Sequence, residues 1–208
     1  MTYEPITRRI DLGLYLDLHV GEPCAVLGNG PSLATHDLSR LSCKHIGVNR
    51  SWRLIESTYH VVADIEHLRE YFAGQWDTAL LFSWRLPHKK FQAMRTPEKD
   101  NKVRWADRHH HDWIVQSKRP WSGFSGIAAV ELAVWMGFDP IYLVGYDLHD
   151  KEGKFYPTNA GRLGESHAQQ RKLFEERSAC YTKPVQIYNC NADSALKCFP
   201  HKSVEEVM

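Results

Sequence analysis

The side chains with chemistry to offer gather where short apolar runs end. The run 23-PCAVLG-28 leads into 28-GNGPSL-33. Gly28 and Gly30 let backbone N–H groups come close to an anion, and Asn29 and Ser32 add side-chain hydrogen bonds, so the stretch has the means to cradle a phosphate. It is not G-x-G-x-x-G, because Leu33 stands where a third glycine would be, and no Gly-Lys-Ser/Thr follows to make a P-loop. A tight turn joining two elements fits the same residues. A second group, 122-SGFSG-126, precedes a long apolar run. Ser125 and Gly126 at a helix start offer free N–H groups to an anion, or Ser125 is simply the N-cap. The third group is Asp147-Leu148-His149, followed by a polar loop with Phe155 and Tyr156, and then by His167 in the first turn of the next predicted helix. A helix N-terminus disfavours imidazolium, so His167 is expected to be neutral near pH 7 and able to accept a proton. The competing view of His167 is an idle surface histidine.

These residues need elements to position them. The apolar runs 23–28, 45–49, 59–64, 78–83, 140–147 and 185–190 read as strands. Helical patterns cover 65–72, 126–137 (ended by Gly137 as a glycine C-cap) and 165–181, with a terminal turn at 203–207. The apolar helix at 126–137 is expected to be buried on all sides. Strand–helix alternation with short apolar strands predicts an α/β fold: a single Rossmann-like domain over 1–208, with a mostly parallel sheet and helices on both faces. Ligands of such sheets bind beyond the carboxyl ends of the strands, near the point where strand order reverses. The first two strands are expected to be neighbours, which brings Asn49, at the end of the second, beside the glycine loop. Asp64 closes the third run, as a helix cap or a ligand.

Residues 84–121 break the pattern. Basic residues and tryptophans interleave there, prolines stand at 87, 97 and 120, and no period is sustained. The segment is expected to be an inserted lid with one or two short elements, able to stack on a sugar or base, or else a packed lid or subunit contact. His109-His110-His111-Asp112 lacks a second ligand cluster at metal spacing and reads as a polar loop.

The formal net charge of +1 gives no global field for nucleic acid. Five cysteines without a C-x-x-C pair read as reduced thiols of a cytoplasmic protein. No stretch approaches the roughly eighteen apolar residues of a membrane span, and the N-terminus lacks the unbroken apolar core of a signal peptide.

Taken together, GNGPSL, Asn49, FSG before an apolar helix and the run GFDPIYLVGYDL resemble the bacterial sialyltransferases of glycosyltransferase family 42. The signature is also similar to a wider group with archaeal 6-hydroxymethylpterin diphosphokinase and motility-associated flagellin glycosyltransferases. The resemblance covers roughly 22–64 and 121–200. It implies a CMP-sugar donor held without a metal or other cofactor, Asn29 and Asn49 on the nucleotide, and Gly28, Gly30 and Ser32 shaping the loop. Ser125 would meet the sugar carboxylate or a phosphate, and His167 would be the base on the acceptor hydroxyl. Two tyrosines of that family donate to the departing phosphate; Tyr156 matches one with a one-residue shift, and His149 stands at the other. An arginine expected near Ser122 is absent. The diphosphokinase alternative would use a nucleoside triphosphate and Mg²⁺, held by carboxylates such as Asp64 and Asp147. A third alternative is a nucleotide-binding protein of the same fold without catalysis. The acceptor is open, and so is the oligomeric state, a homo-oligomer included.

Overall fold

Cys24-Ala-Val-Leu27 is buried at every position, as a strand must be when both faces of its sheet are covered. In the computed structural model, which describes residues 12–62, 67, 70, 80–83, 103–105, 124–150, 153–156, 163–181 and 183–207, this stretch is strand β1. It is followed by β2 (Lys44–Val48), β3 (Tyr59–Val61), β4 (Leu80–Ser83), β5 (Val103–Trp105), helix α1 (Ser125–Trp135), β6 (Ile141–Val144), α2 (Leu163–Ser178) and β7 (Ile187–Asn189). The seven strands form one sheet in the order β5-β4-β3-β2-β1-β6-β7, and every pairing is parallel. This is the Rossmann-like α/β architecture expected, with β1 beside β2.

Alternate residues of each strand face opposite layers. Cys24, Val26, Ile141 and Leu143 point to a core shared with α1 and α2, where Ile127, Val130, Val134 and Phe174 are buried. Ala25, Leu27, Tyr142 and Val144 point to a second core. Among the described residues the cover there comes from short 3-10 helices at Pro31–Thr35, Leu38–Arg40 and Val204–Glu206, which supply Leu33, Leu38 and Val204. Chain direction explains the division. From β1 the strands proceed one way across the sheet, and from β5 to β7 they return the other way. Right-handed crossovers therefore carry the two sets of connections over opposite faces. The reversal falls between β1 and β6.

α1 is buried along its length, as its apolar run predicts, and ends in a Schellman motif. Gly137 has φ 83°, its N–H meets Val134 O at 3.1 Å, and Phe138 N–H reaches Ala133 O at 3.1 Å. Its N-terminus differs from one expectation. Phe124 is the N-cap residue and makes no side-chain capping bond, so Ser125 is the first helical residue and not the cap. The apolar pattern also passes over Glu131, which is 1% exposed and pairs with Arg177 of α2.

β3 ends at Val61, and Asp64 lies outside the described residues. So do Ser122, His109-His110-His111-Asp112 and the rest of 84–121 apart from β5, a strand within the segment expected to hold one or two short elements. Of the helix expected at 65–72, His67 and Glu70 are described, both helical.

Candidate functional site at the strand-order reversal

Leu27 pairs with Val144, and the chain then leaves both strands through glycine. Gly28 N–H bonds to Val144 O at 2.7 Å and Gly30 N–H to Gly145 O at 2.8 Å. A Cβ on Gly28 would lie 2.3 Å from Gly145 O, and one on Gly30 would lie 2.3 Å from Asp147 Oδ2. The two glycines are thus required by the approach of the β6 backbone. Their N–H groups are spent there, which corrects the picture of an anion cradle built from free N–H groups of this loop. Ser32 follows suit. Its N–H bonds to Asp147 Oδ2 at 2.8 Å, its hydroxyl bonds to Oδ1, and Asn191 Nδ2 adds a bond to Oδ1 at 2.7 Å. Asp147 is therefore a brace between the β1 loop and the loop after β7, and its carboxylate does not stand open as a metal ligand.

Asn29 performs similar work toward β2. Its Nδ2 donates to Val48 O at 3.0 Å and its Oδ1 accepts from Arg50 N–H at 3.3 Å, so it clasps the backbone on both sides of Asn49. Asn49 has φ 49°, in the left-handed region that asparagine tolerates better than most residues. Its N–H bonds to Val61 O at 3.0 Å, and its carbonyl accepts from His60 Nε2 at 2.7 Å. His60 is wholly buried, and burial pushes its imidazole down to about 4, so it is a neutral donor at this bond. Gly47 makes room for it: a Cβ there would sit 2.4 Å from His60 Nδ1. Asn49 itself is 7% exposed, and its side-chain oxygen is buried with no hydrogen-bond partner among the described residues.

On the other side of the reversal, Leu148 has φ 53°, strained for a leucine. Arg171 Nη1 holds its carbonyl at 2.6 Å and Asp150 Oδ1 at 2.8 Å. The turn so fixed presents His149 O to His167 Nδ1 at 2.7 Å. A carbonyl only accepts, so Nδ1 carries the proton and Nε2 of the neutral ring keeps a lone pair. His167 is 6% exposed, in the first turns of α2.

These parts enclose a cavity of about 290 Å³, near the lower end for small-molecule sites. Gly28, Asn29, Gly30, Asn49, Ser125, Gly126, Asp147 and His167 all line it, together with Lys154. The α1 N-terminus opens into it. Three expected site residues do not form its wall. Ser32 and His149 line a neighbouring cleft of about 520 Å³, and His149 contributes to His167 through its carbonyl. Tyr156 is 4% exposed, with the Arg50 guanidinium 4.5 Å and Lys154 Nζ 5.5 Å from its ring centroid. Its segment reaches the cavity through Gly153 and Lys154. Sequence reasoning passed over Lys154, Arg171 and His60: a lysine in a polar loop, an arginine on a charged helix and a histidine inside a strand carry no motif. Burial pushes the thiols of Cys190 and Cys198 up to about 12 and about 11, which removes them as nucleophiles near neutral pH. Among the described residues no group of three or more His, Cys, Asp or Glu side chains is arranged to hold a metal ion, and no helix is long and apolar enough to cross a membrane.

An all-parallel sheet with a cavity at its strand-order reversal defines a Rossmann-like fold of the kind that binds ligands at that crevice. The particular solved structures it resembles are sialyltransferases. The sialyltransferase CST-II in complex with a trisaccharide acceptor and CMP superposes with a TM-score of 0.52 at 16% identity, covering 86% of this chain and 85% of that one. CstII from Campylobacter jejuni with cytidine-5'-monophosphate gives 0.53 at 16% identity, covering 88% and 85%. The monofunctional α-2,3-sialyltransferase Cst-I from Campylobacter jejuni gives 0.52 at 16%, covering 87% and 80%. At such identity the likeness is one of fold. No protein-family model matches the chain, and no curated protein sequence does.

Proposed function

We propose that this protein is a nucleotide-sugar-dependent glycosyltransferase of the sialyltransferase kind, with a CMP-sugar as donor and no metal requirement. The observation that carries this reading is the placing of His167: Nδ1–H held by His149 O, Nε2 left as the base, in one cavity with the buried, unpartnered amide oxygen of Asn49. The CMP in the solved complexes of the same fold supports the choice of nucleotide. Asn49 Oδ1 accepts a hydrogen bond from the nucleotide, with Asn29 holding its backbone in place. Ser125 and Gly126, at the open N-terminus of α1, meet a carboxylate or phosphate oxygen of the donor. His167 Nε2 takes the proton from the acceptor hydroxyl as that oxygen attacks the anomeric carbon. The acceptor is a hydroxyl-bearing molecule whose identity the cavity does not select.

The test is His167→Ala with CMP-sialic acid as donor and a panel of glycan acceptors. Turnover should fall by about 10²–10⁴-fold, the usual contribution of a general base, while CMP binding by calorimetry stays near wild type. Unchanged turnover in that variant refutes the base assignment.

A further inference from the structure

The departing phosphate needs a positive partner, and neither residue expected to serve it lines the cavity. We propose that Lys154 is that partner: its ammonium, seated at the ring of Tyr156, binds the donor phosphate and takes up the charge that appears on it as the sugar leaves. The inference rests on the nucleotide-sugar reading above and names a residue for a step that this reading leaves unassigned.

Three observations carry it. First, Lys154 is the one lysine or arginine among the described residues that lines the cavity. It does so together with His167, Asn49 and the N-terminus of α1. Second, the nearby Arg50 does not line the cavity. It grips Glu70 with two nitrogens, Nε to Oε2 at 2.6 Å and Nη2 to Oε1, and this ion pair holds the Glu70 carboxyl below its usual range. Third, Tyr156 has a different use from donation to phosphate. Its buried ring lies beneath Arg50 and within 5.5 Å of Lys154 Nζ, so its π-face helps to locate the ammonium. Glu70 neutralises Arg50, which lets one ring receive two cations without strong repulsion between them. Tyr156 is in these terms a positioning residue and Lys154 the group that touches phosphate.

The chemistry balances. The bond from the anomeric carbon to the phosphate oxygen breaks and its electron pair stays on that oxygen, so a singly charged phosphodiester becomes a doubly charged monophosphate. The ammonium of Lys154 meets the added charge. The acceptor oxygen forms the new bond to the anomeric carbon, and its proton passes to His167 Nε2. A lysine serves here as a point charge with three donors, without surrendering a proton.

The experiment compares nucleotide with nucleoside. Calorimetry measures CMP and cytidine binding to wild type, Lys154→Met and Lys154→Arg. Lys154→Met should weaken CMP by about ten-fold or more, the cost of losing a hydrogen bond to a charged group, and leave cytidine unchanged, which also shows that the variant is folded. Lys154→Arg should restore most of the loss, and added salt should weaken CMP binding less in Lys154→Met than in wild type. With donor and acceptor, kcat should fall in Lys154→Met by more than KM rises. Equal loss of CMP and cytidine, or equal CMP affinity in wild type and Lys154→Met, overturns the assignment while leaving the nucleotide-sugar reading intact. If UMP, GMP or AMP binds wild type in place of CMP, the CMP reading fails and Lys154 stands or falls by the same nucleotide-to-nucleoside ratio. If none of the four binds, both are overturned.

Discussion

Asn49 holds its amide in the cavity because a neutral imidazole holds its backbone. His60 donates from Nε2 to the Asn49 carbonyl in a pocket that only Gly47 leaves wide enough. The folded-state value of about 4 lies below the ordinary 6.5, so between those values the unfolded chain binds a proton that the folded chain does not. Stability from this site is therefore complete above about pH 6.5 and is lost as pH falls toward 4, by roughly 3 kcal/mol across the window. Glu131, whose carboxyl burial raises to about 7, acts in the opposite sense: its contribution is present at low pH and lost as pH rises. Comparing wild type with His60→Gln isolates the imidazole. Urea denaturation between pH 7.5 and 4.5 should show wild type losing about 3 kcal/mol more than His60→Gln. Parallel pH profiles would mean that His60 is not held neutral by its site. Because glutamine keeps a donor for the Asn49 carbonyl, His60→Gln should retain more nucleotide affinity than His60→Ala.

At the scale of elements, the cavity depends on how closely the β1 loop meets the end of β6. Gly28 and Gly30 touch backbone and a braced carboxylate, neither of which can retreat as a flexible side-chain end can. Gly28→Ala should cost about 1–3 kcal/mol or more of stability and abolish nucleotide binding. Gly153 lines the same cavity, but a Cβ there would meet no atom within 4 Å. Gly153→Ala should stay within about 0.5 kcal/mol of wild type. Denaturation curves for the two variants side by side check the claim, and a tolerant Gly28→Ala would show that the loop does not seat on Gly145. On the far side of the crevice, the left-handed turn at Leu148 persists because Arg171 anchors it, one helical turn along α2 from His167. One helix thus carries both the imidazole and the clamp on the turn whose next carbonyl, that of His149, orients it.

Across the whole molecule, the two helices that share one face of the sheet are joined at a costly point. Glu131 and Arg177 are 1% and 2% exposed and tie α1 to α2 beneath the sheet. Arg177→Met alone leaves a buried carboxylate without its cation and should destabilise by about 3–5 kcal/mol. The double variant Glu131→Leu/Arg177→Met removes both charges and should recover most of that loss, as read by thermal or urea denaturation. A double variant as unstable as the single would mean that the pair stabilises the helix contact beyond the cost of stranding one charge.

The order of apolar runs and their lengths determined, from sequence alone, a parallel α/β sheet with α1 buried and with β1 beside β2. Period-two burial and glycine capping are local rules, so Cys24–Leu27, Ile141–Val144 and the Gly137 cap were all legible there. The place of Asn49 beside the glycine loop was legible too, since the ends of neighbouring strands converge, whereas Ser125, Gly126 and His167 were joined to it only by the family resemblance. Tertiary structure alone decided what each polar group does. The Gly28 and Gly30 N–H groups could have faced an anion, but the carbonyls of Val144 and Gly145 claim them. Asp147 could have held a metal, but Ser32 and Asn191 occupy its oxygens. His149 acts through its carbonyl, Tyr156 lies beneath two cations, and Lys154 reaches the cavity from a loop without motif. The physical reason is that hydrogen bonding is a competition. Residue type states what a group can donate or accept, and only the partners brought within about 3 Å by the folded chain decide which bond it makes.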